Sequence, residues 1–232
     1  MRRNAKHPLQ SAWTLAFGGV SVPGERKASR SWQGSTRHAL PAFAFVEDLW
    51  ALWAQLAPPS RWNIGTTAYL FRESTQPSWE AWPSGGTWTL TFERSALSAD
   101  AADATWMHLV LAAVGEQLAS SPNEVCGVEY AVRKAGVRVN VWTRDAADAS
   151  RQREVVARLR RLCSGRLPAD ATWTYIAHDE RKRQQSLAKS GQLLPDAATA
   201  PLLELYTELR SEIEEPLTST ASRMRSSNAA SQ

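Results

Sequence analysis

Cysteine is scarce in this chain of 232 residues: only Cys126 and Cys163 occur, and neither lies in a Cys-x-x-Cys pair or a Cys/His cluster. A disulfide framework or a structural zinc site needs several closely spaced ligands, so we predict neither. Histidine is also rare, and the four histidines lie in no Ser/His/Asp or Cys/His pattern. We therefore predict no metal site, no catalytic residue and no cofactor, in a chain that folds in a reducing compartment.

Long apolar runs and a strong excess of one charge are absent too. No uninterrupted apolar stretch is long enough to span a bilayer, and residues 1–10 lack the apolar run of a signal peptide. We expect a soluble, cytoplasmic protein without a membrane partner. Lysine and arginine number 27 against 23 aspartates and glutamates, a net charge of +4. This mild excess permits a phosphate-bearing ligand but does not resemble a protein that coats long nucleic acid.

Tryptophan, by contrast, is abundant, with eleven residues. Trp32 and Trp79 lie in Gly/Ser/Pro-bearing stretches where no hydrophobic period requires them, and Glu80 follows the second directly. Two indole faces could stack around a flat cationic ring, and a carboxylate at the ring edge could accept two parallel N–H donors, as guanine offers. The alternative is that both tryptophans cover a small core. Core positions are predicted for Trp13, Trp53, Trp88, Trp106 and Trp173.

The hydrophobic pattern predicts an α+β fold. Alternation with a period of two predicts strands, and apolar positions at intervals of three or four predict helices. Strands are expected at 11–17, 35–45, 67–71, 87–92, 125–133, 137–143 and 172–177, and helices at 46–56, 100–118 and 148–163. Pro41 weakens the second strand, and Lys134-Ala135-Gly136 is a hairpin turn. We expect an antiparallel sheet with about three helices on one face and a free face that can curve around a ligand.

The length suits a single domain with tails. We predict an N-terminal arm over residues 1–10, one domain over 11–191, and a C-terminal extension over 192–232. In the extension, apolar residues from Leu202 to Ile213 recur at helical spacing, and the Ser/Thr/Ala-rich end from Pro216 is expected to be disordered.

Basic residues occur at two places that could meet a phosphate chain. Arg133, Lys134 and Arg138 flank the short hairpin turn, where their side chains could converge. Arg181 and Lys189 belong to a second basic segment, which follows the last strand. The alternatives are an ordinary charged hairpin tip and a tether that binds nothing.

An ordered series of short motifs gives a more specific indication. The series is His7-Pro8-Leu9-Gln10, Ser31-Trp32-Gln33, Val46-Glu47-Asp48-Leu49-Trp50, Pro77-Ser78-Trp79-Glu80, Gly85-Gly86-Thr87-Trp88, Val114-Gly115-Glu116, Val125-Cys126-Gly127 and Val141-Trp142-Thr143. In order and spacing it resembles the eukaryotic translation initiation factor 4E family, which binds the messenger RNA cap, over roughly residues 6–191. The resemblance implies a cupped antiparallel sheet backed by three helices, with the 7-methylguanosine cap on the concave face.

The resemblance also implies roles for the residues that would hold the cap base. Trp32 and Trp79 would stack on the methylated, cationic guanine, Glu80 would accept its N1 and N2 protons, and Trp142 would contact the methyl group. Methylation at N7 gives the base its positive charge, so unmethylated guanine should bind much less well. The family's second tryptophan in the first strand is replaced here by Ala16.

The cap phosphates would be held by basic residues. Arg133 and Arg138 match phosphate-binding positions of the family, whereas the family's third basic position is Thr87 here. This departure puts phosphate affinity in question unless other basic side chains compensate. The candidates for that are Lys134 and the segment from Arg181 to Lys189.

A partner surface is implied on the convex face, where the family binds an amphipathic helix of a 4G-type scaffold factor or of a 4E-binding protein. Its residues would be His7, Pro8, Val46, Trp50, Met107 and Leu111. Trp50 is the best candidate for an exposed anchor, whereas Val46 and Leu111 could equally face the core. Docking of the helix from Leu202 to Ile213 on this surface is a further hypothesis.

The sequence thus predicts a cap-binding protein that is not an enzyme, that recruits messenger RNA for translation initiation and that is a monomer outside its complex. One alternative retains the cap site but makes the protein a repressor or a storage factor. Another is a tryptophan-rich carbohydrate-binding protein or glycosidase, because sugar rings also stack on indoles. An evident pair of carboxylates would favour the glycosidase, and the sequence offers none.

Overall fold

Eight strands form one antiparallel sheet in the computed structural model, which describes residues 5–19, 37–73, 77–78, 81–168 and 171–183. All of these residues belong to one unit, Met1–Arg183. The strands are β1 Pro8–Gly18, β2 Arg37–Ala39, β3 Phe43–Phe45, β4 Thr67–Arg72, β5 Gly86–Phe92, β6 Val125–Arg133, β7 Gly136–Thr143 and β8 Trp173–Ala177. The curved antiparallel sheet predicted from the alternation is confirmed.

The strands lie in the order β2-β1-β4-β6-β7-β5-β8, and β3 also pairs with β1. The predicted hairpin is β6-β7, with Arg133 opposite Gly136. Gly136 has φ 145°, and a Cβ there would lie 2.2 Å from the Phe92 carbonyl oxygen, so only glycine fits this turn. The hairpin brings the ends of two central strands, and the basic residues on them, close together.

Side-chain alternation gives the sheet two different faces. One face carries the core, with Trp88, Leu70 and Val139 fully buried. Two of the helices pack on it: the Trp88 indole N–H donates to Gln152 of one helix at 3.1 Å, and the ring of Trp106 on another lies 5.9 Å from Tyr130. The opposite face is the concave one, where the candidate site lies.

Three helices have the order that the sequence predicts: α1 Val46–Trp53, α2 Ala99–Val114 and α3 Ala149–Cys163. Ser98 caps α2 by accepting from the Ala101 N–H, and Asp148 caps α3 by accepting from the Arg151 N–H. Each of the first two helices ends earlier than predicted. For α2 the reason is local, because Glu116 has φ 53°, in the left-handed region that ends a helix.

Other boundaries also differ from the prediction. The first strand begins at Pro8, inside the predicted arm, and the strand expected at 35–45 is two short strands on either side of Pro41, both paired with β1. Proline has no N–H for the ladder, which accounts for the interruption. The predicted helix from Leu202 to Ile213 lies outside the described residues.

The core placement of tryptophan is confirmed at four of the five positions, Trp13, Trp88, Trp106 and Trp173. It is wrong at Trp53, which is only half-buried. This residue is the last of α1, and it lines a surface groove together with Leu56, Met107 and Trp106.

Within the described ranges, no helix is both long and apolar enough to cross a membrane. These same ranges contain no group of three metal-ligating side chains.

Candidate functional site

The concave face has a polar row at its centre, with aromatic side chains on one side of the row and arginines on the other. Five residues lie in register across five strands: Tyr69, Glu129, Asn140, Thr89 and Thr174. The Thr89 hydroxyl donates to the Asn140 side-chain oxygen at 2.9 Å. Glu129 and Asn140 are almost fully buried, so the middle of the row is packed and not a solvated surface, whereas Thr174 at its end is exposed.

Trp142 lies on one side of this row, in a cluster with Tyr69, Phe71 and Cys126. Its ring is 5.5 Å from that of Phe71 in an edge-to-face arrangement, and 4.9 Å from the ring of His178. The indole N–H is buried and donates to no partner among the described residues. Burial raises the pKa of the Cys126 thiol to about 12, so this side chain stays neutral. The cluster is an apolar aromatic platform.

Thr87, where the resemblance implies a basic residue in the family, is fully buried beside this platform. Its hydroxyl lies 2.7 Å from Nε2 of His178, and Nδ1 of the same ring lies 2.7 Å from the Trp82 carbonyl oxygen. A carbonyl can only accept, so Nδ1 carries a proton, and in the neutral ring Nε2 accepts from Thr87. His178 lies in no motif of the sequence, so its hydrogen bonds to Thr87 and Trp82 could not be predicted.

Three arginines lie on the other side of the row. Arg138 on β7 approaches Glu129, with 3.8 Å between Nη2 and Oε1. Arg133 is anchored: it donates to Thr67 Oγ1 at 2.8 Å and to the carbonyl oxygens of Gly65 and Thr66. Sequence reasoning gave Arg133 and Arg138 equal roles in phosphate binding. The structure distinguishes them, because several N–H donors of Arg133 are used by the protein, so Arg138 has more donors available for a ligand.

Arg181 joins this group from the helical residues 178–183. The pKa of Arg181 and that of Arg133 are both lowered, first by burial and then by the positive charge of Arg138. Arg133 and Arg181 are thus each close enough to Arg138 for its charge to act on them. Such a group of partly buried cations favours binding of an anion, which would relieve the repulsion.

The structure leaves part of the predicted site untested. Lys134 is exposed on the hairpin turn. Trp32, Trp79, Glu80 and Lys189 lie outside the described residues, so the stacking pair and its carboxylate remain predictions.

The partner surface predicted on the convex face has one strongly exposed aromatic side chain, Trp50, at 43% exposure. His7 and Pro8 are exposed, whereas Val46, Met107 and Leu111 are half-buried. For Val46 and Leu111 this lies between the two alternatives, the partner surface and the core. His7 is fixed to α1, because its ring Nδ1 lies 2.6 Å from Glu47 Oε1 and its backbone N–H donates to the same carboxylate at 2.9 Å. These contacts hold His7 on α1, the helix that carries Trp50.

The groove that contains Trp53 adjoins this surface and was missed by the sequence reasoning. It is lined by Leu56, Pro58, Pro59, Trp62 and Met107 among others, and Asp103 at its edge accepts from the Ser60 N–H and hydroxyl. The helical spacing of Trp50 and Trp53 in the sequence was a signal of an exposed apolar stripe, but Trp53 was assigned to the core.

The concave face of the curved sheet thus combines an aromatic platform with arginines, side chains that suit a flat ring and an anionic group. Residues 8–192 match the family "Eukaryotic initiation factor 4E". The chain belongs to the eukaryotic initiation factor 4E family.

Relatives and solved structures agree with this membership. The chain is 31% identical over 190 residues to eukaryotic translation initiation factor 4E-1 of Hordeum vulgare subsp. vulgare, covering 81% of this chain and 82% of that protein. It is similar to C. elegans eIF4E-3 in complex with the 4E-binding protein Mextli and cap analog, with TM-score 0.64, 27% identity, and 77% of this chain and 96% of that chain covered. It is also similar to Ascaris suum eIF4E-3 in complex with the m2,2,7G cap, with TM-score 0.64 and 27% identity, and the match covers 75% of this chain and 92% of that chain.

Proposed function

We propose that this protein binds the 7-methylguanosine cap of messenger RNA on its concave face and recruits the message for translation initiation. The observation that carries the proposal is the order of side chains along β7. Trp142, Asn140 and Arg138 alternate onto one face. At about 3.3 Å per residue, the α carbons of Trp142 and Arg138 are about 13 Å apart, a span that suits a base at one end and phosphates at the other.

The base would be held by Trp32 and Trp79, stacked on either side, with Glu80 accepting the N1 and N2 protons and Trp142 beside the methyl group. A cation between two indole faces gains attraction that a neutral ring lacks. The relatives in worm structures carry cap analog or cap, and family membership extends the same chemistry to this chain. The interaction is binding without a bond made or broken, so the protein is proposed not to be an enzyme.

The phosphates would meet Arg138 and Arg181 directly, with Arg133 holding the loop at Gly65 and Thr66 in place while adding its charge. Lys134 and Lys189 would contribute at longer range. Arginine suits this role because its planar group donates two parallel hydrogen bonds to a phosphate.

The convex face would engage an amphipathic helix of a 4G-type scaffold or of a 4E-binding protein. Mextli, a 4E-binding protein, is the partner in the worm complex. On this chain the anchor would be Trp50, flanked by His7, Pro8, Val46, Met107 and Leu111. An exposed tryptophan ringed by half-buried apolar residues is typical of an interface hot spot. The protein would act in the cytoplasm, where capped messages are translated, and would be monomeric outside this complex.

Retention on immobilised 7-methyl-GTP tests the cap site. We expect the wild type to be eluted by free 7-methyl-GTP and not by GTP, and Trp32→Ala and Trp79→Ala to pass through the resin. Trp53→Ala, on the convex face, is the matched control and should be retained. Retention of Trp32→Ala and Trp79→Ala equal to that of the wild type would contradict the proposed stacking.

Trp50→Ala tests the partner surface. The variant should stay on the 7-methyl-GTP resin but lose the scaffold factor from a lysate and fail to support cap-dependent translation. A protein that represses translation in the same lysate, and does so through Trp50, would instead be a cap-binding repressor.

A further inference from the structure

Glu129 is a carboxylate at the centre of the concave face, and it is not among the cap-site residues proposed above. Its side chain is 1% exposed, and Oε1 accepts no hydrogen bond from the part of the chain that the structure describes. The nearest cation is Arg138, at 3.8 Å, which is too long for a hydrogen bond. Nε of Arg138 is itself buried without a hydrogen-bond partner among the described residues.

The charge of Glu129 acts on the whole arginine group. It opposes the lowering of the pKa of both Arg133 and Arg181. A buried carboxylate is costly unless cations neutralise it, and here Arg138 lies 3.8 Å away while Arg133 and Arg181 are within reach of its charge. Because no hydrogen bond fixes Arg138 to Glu129 Oε1, the carboxylate acts through its charge more than by positioning Arg138.

We propose that Glu129 is a built-in counter-anion of the phosphate site, which offsets part of the positive charge that the cap phosphates would otherwise meet. The inference rests on the proposed cap-binding function. Glu129 neutralises the arginines when no nucleotide is bound and repels the phosphates when one arrives. It is therefore a specificity-determining residue. Its repulsion weakens binding more for a ligand with more phosphates, so the base contributes a larger share of the binding free energy than the phosphates would otherwise allow.

Glu129→Gln tests this, because it removes the charge and keeps the shape. The affinities to compare are those for 7-methylguanosine, 7-methyl-GMP and 7-methyl-GTP, measured by titration at low salt. We expect a gain of about tenfold for the triphosphate, a smaller gain for the monophosphate and none for the nucleoside. The gain should shrink as salt is raised, since screening weakens charge effects.

Asn140→Asp gives the opposite test on the neighbouring residue of the row. It adds a second carboxylate beside Glu129 and retains the oxygen that accepts from Thr89. We expect weaker binding of the triphosphate, with the nucleoside unchanged. If Glu129→Gln does not fold, Glu129→Met, which has a similar volume and no charge, takes its place in the same comparison of ligands. Glu154→Gln, the same change on α3, is the control and should alter none of the affinities.

The outcomes separate this inference from the proposed function. If the wild type binds no 7-methylated ligand, the cap function is wrong and the inference is overturned with it. If the wild type binds them, but Glu129→Gln leaves or lowers the triphosphate affinity, the inference alone is overturned. Equal gains for nucleoside and triphosphate would also overturn it, because the effect would then not act on phosphate.

Discussion

Thr87 and His178 form a fully buried hydrogen bond, 2.7 Å from Oγ1 to Nε2, at the position where the family pattern has a basic residue. The same His178 ring packs against Trp142. The loss of a cation there is thus accompanied by a packed polar contact that supports the aromatic platform. Arginine at this position would not fit without displacing His178, so restoring the family residue is not a simple gain.

Thr87→Val should destabilise the fold. It removes the hydroxyl that donates to the buried Nε2 of His178, and loss of such a donor costs about 1–3 kcal/mol. The free energy of unfolding from urea titration measures the loss. Thr91→Val, an exposed position on the same strand, is the matched control and should change stability by less than about 0.5 kcal/mol. Equal stability of Thr87→Val and wild type would mean that the bond contributes nothing net.

Arg138→Met should lower the affinity for 7-methyl-GTP by about tenfold or more, because a hydrogen bond to a charged group contributes about 1.5–3 kcal/mol. The affinity for 7-methylguanosine, which has no phosphate, should not change. Calorimetric titration of both ligands gives the comparison. Arg61→Met, exposed on the short helix Pro59–Arg61, is the control for loss of one charge. A parallel loss for nucleoside and triphosphate would place Arg138 outside the phosphate site.

Arg72 and Glu116 form a two-armed ion pair between β4 and the end of α2, with 2.5 Å between Nη2 and Oε2. Arg72 also lies over the ring of Trp13 at 4.6 Å. Glu116→Gln removes this carboxylate charge from beside the buried guanidinium, and we expect a loss of about 3 kcal/mol in the free energy of unfolding. Urea denaturation checks this.

The double variant Arg72→Met with Glu116→Gln is the control for that pair. Removing both charges leaves no unpaired ion, so its loss should be smaller than that of Glu116→Gln alone. A double variant that is less stable than the single one would indicate that Arg72 acts through its other contacts, to Ser11 and the Val125 carbonyl oxygen.

How much of the fold and of the site could be predicted from the sequence depends on how far apart along the chain the interacting residues lie. The β6-β7 hairpin follows from local alternation and a glycine turn, and α3 follows from apolar residues at helical spacing. Both elements were predicted, and the Asp148 cap of α3 was not. The Arg72–Glu116 pair joins residues 44 apart, and Thr87–His178 joins residues 91 apart. No local pattern encodes such pairs, because they depend on which strands become neighbours.

Glu129 is an intermediate case. A single carboxylate in the otherwise apolar strand from Val125 to Val132 was visible, and alternation places it on the face opposite Val128 and Tyr130. What the sequence could not give is its burial and its distance from Arg138, which depend on the curvature of the sheet. For the same reason, the spacing of Trp53 indicated one helix face but not that α1 would leave it half-buried.

The contact between His7 and Glu47 predicts a change in titration. Hydrogen bonds from the His7 side chain and backbone lower the pKa of Glu47 from 4.5 to about 2. A lowered folded-state pKa means that this stabilisation is complete above pH 4.5 and is lost as the pH falls toward 2. In His7→Ala the backbone N–H remains, so the pKa of Glu47 should lie between these values.

Carbon-detected NMR titration of the Glu47 carboxyl group measures this pKa. His38→Ala, a histidine elsewhere in the sheet, should leave it at about 2. If His7→Ala does so too, the arm is not held by this side chain, and the support it gives to the partner surface beside Trp50 must come from other contacts.

The most direct test of the cap-binding account is the affinity of the wild type for 7-methyl-GTP against GTP, followed by tryptophan fluorescence. One methyl group separates the ligands, and it supplies the positive charge that the indoles would stack upon. A desolvated cation–π contact is worth about 2 kcal/mol, so the account predicts at least a 30-fold preference for the methylated nucleotide. Equal quenching by both at the same concentrations would contradict it.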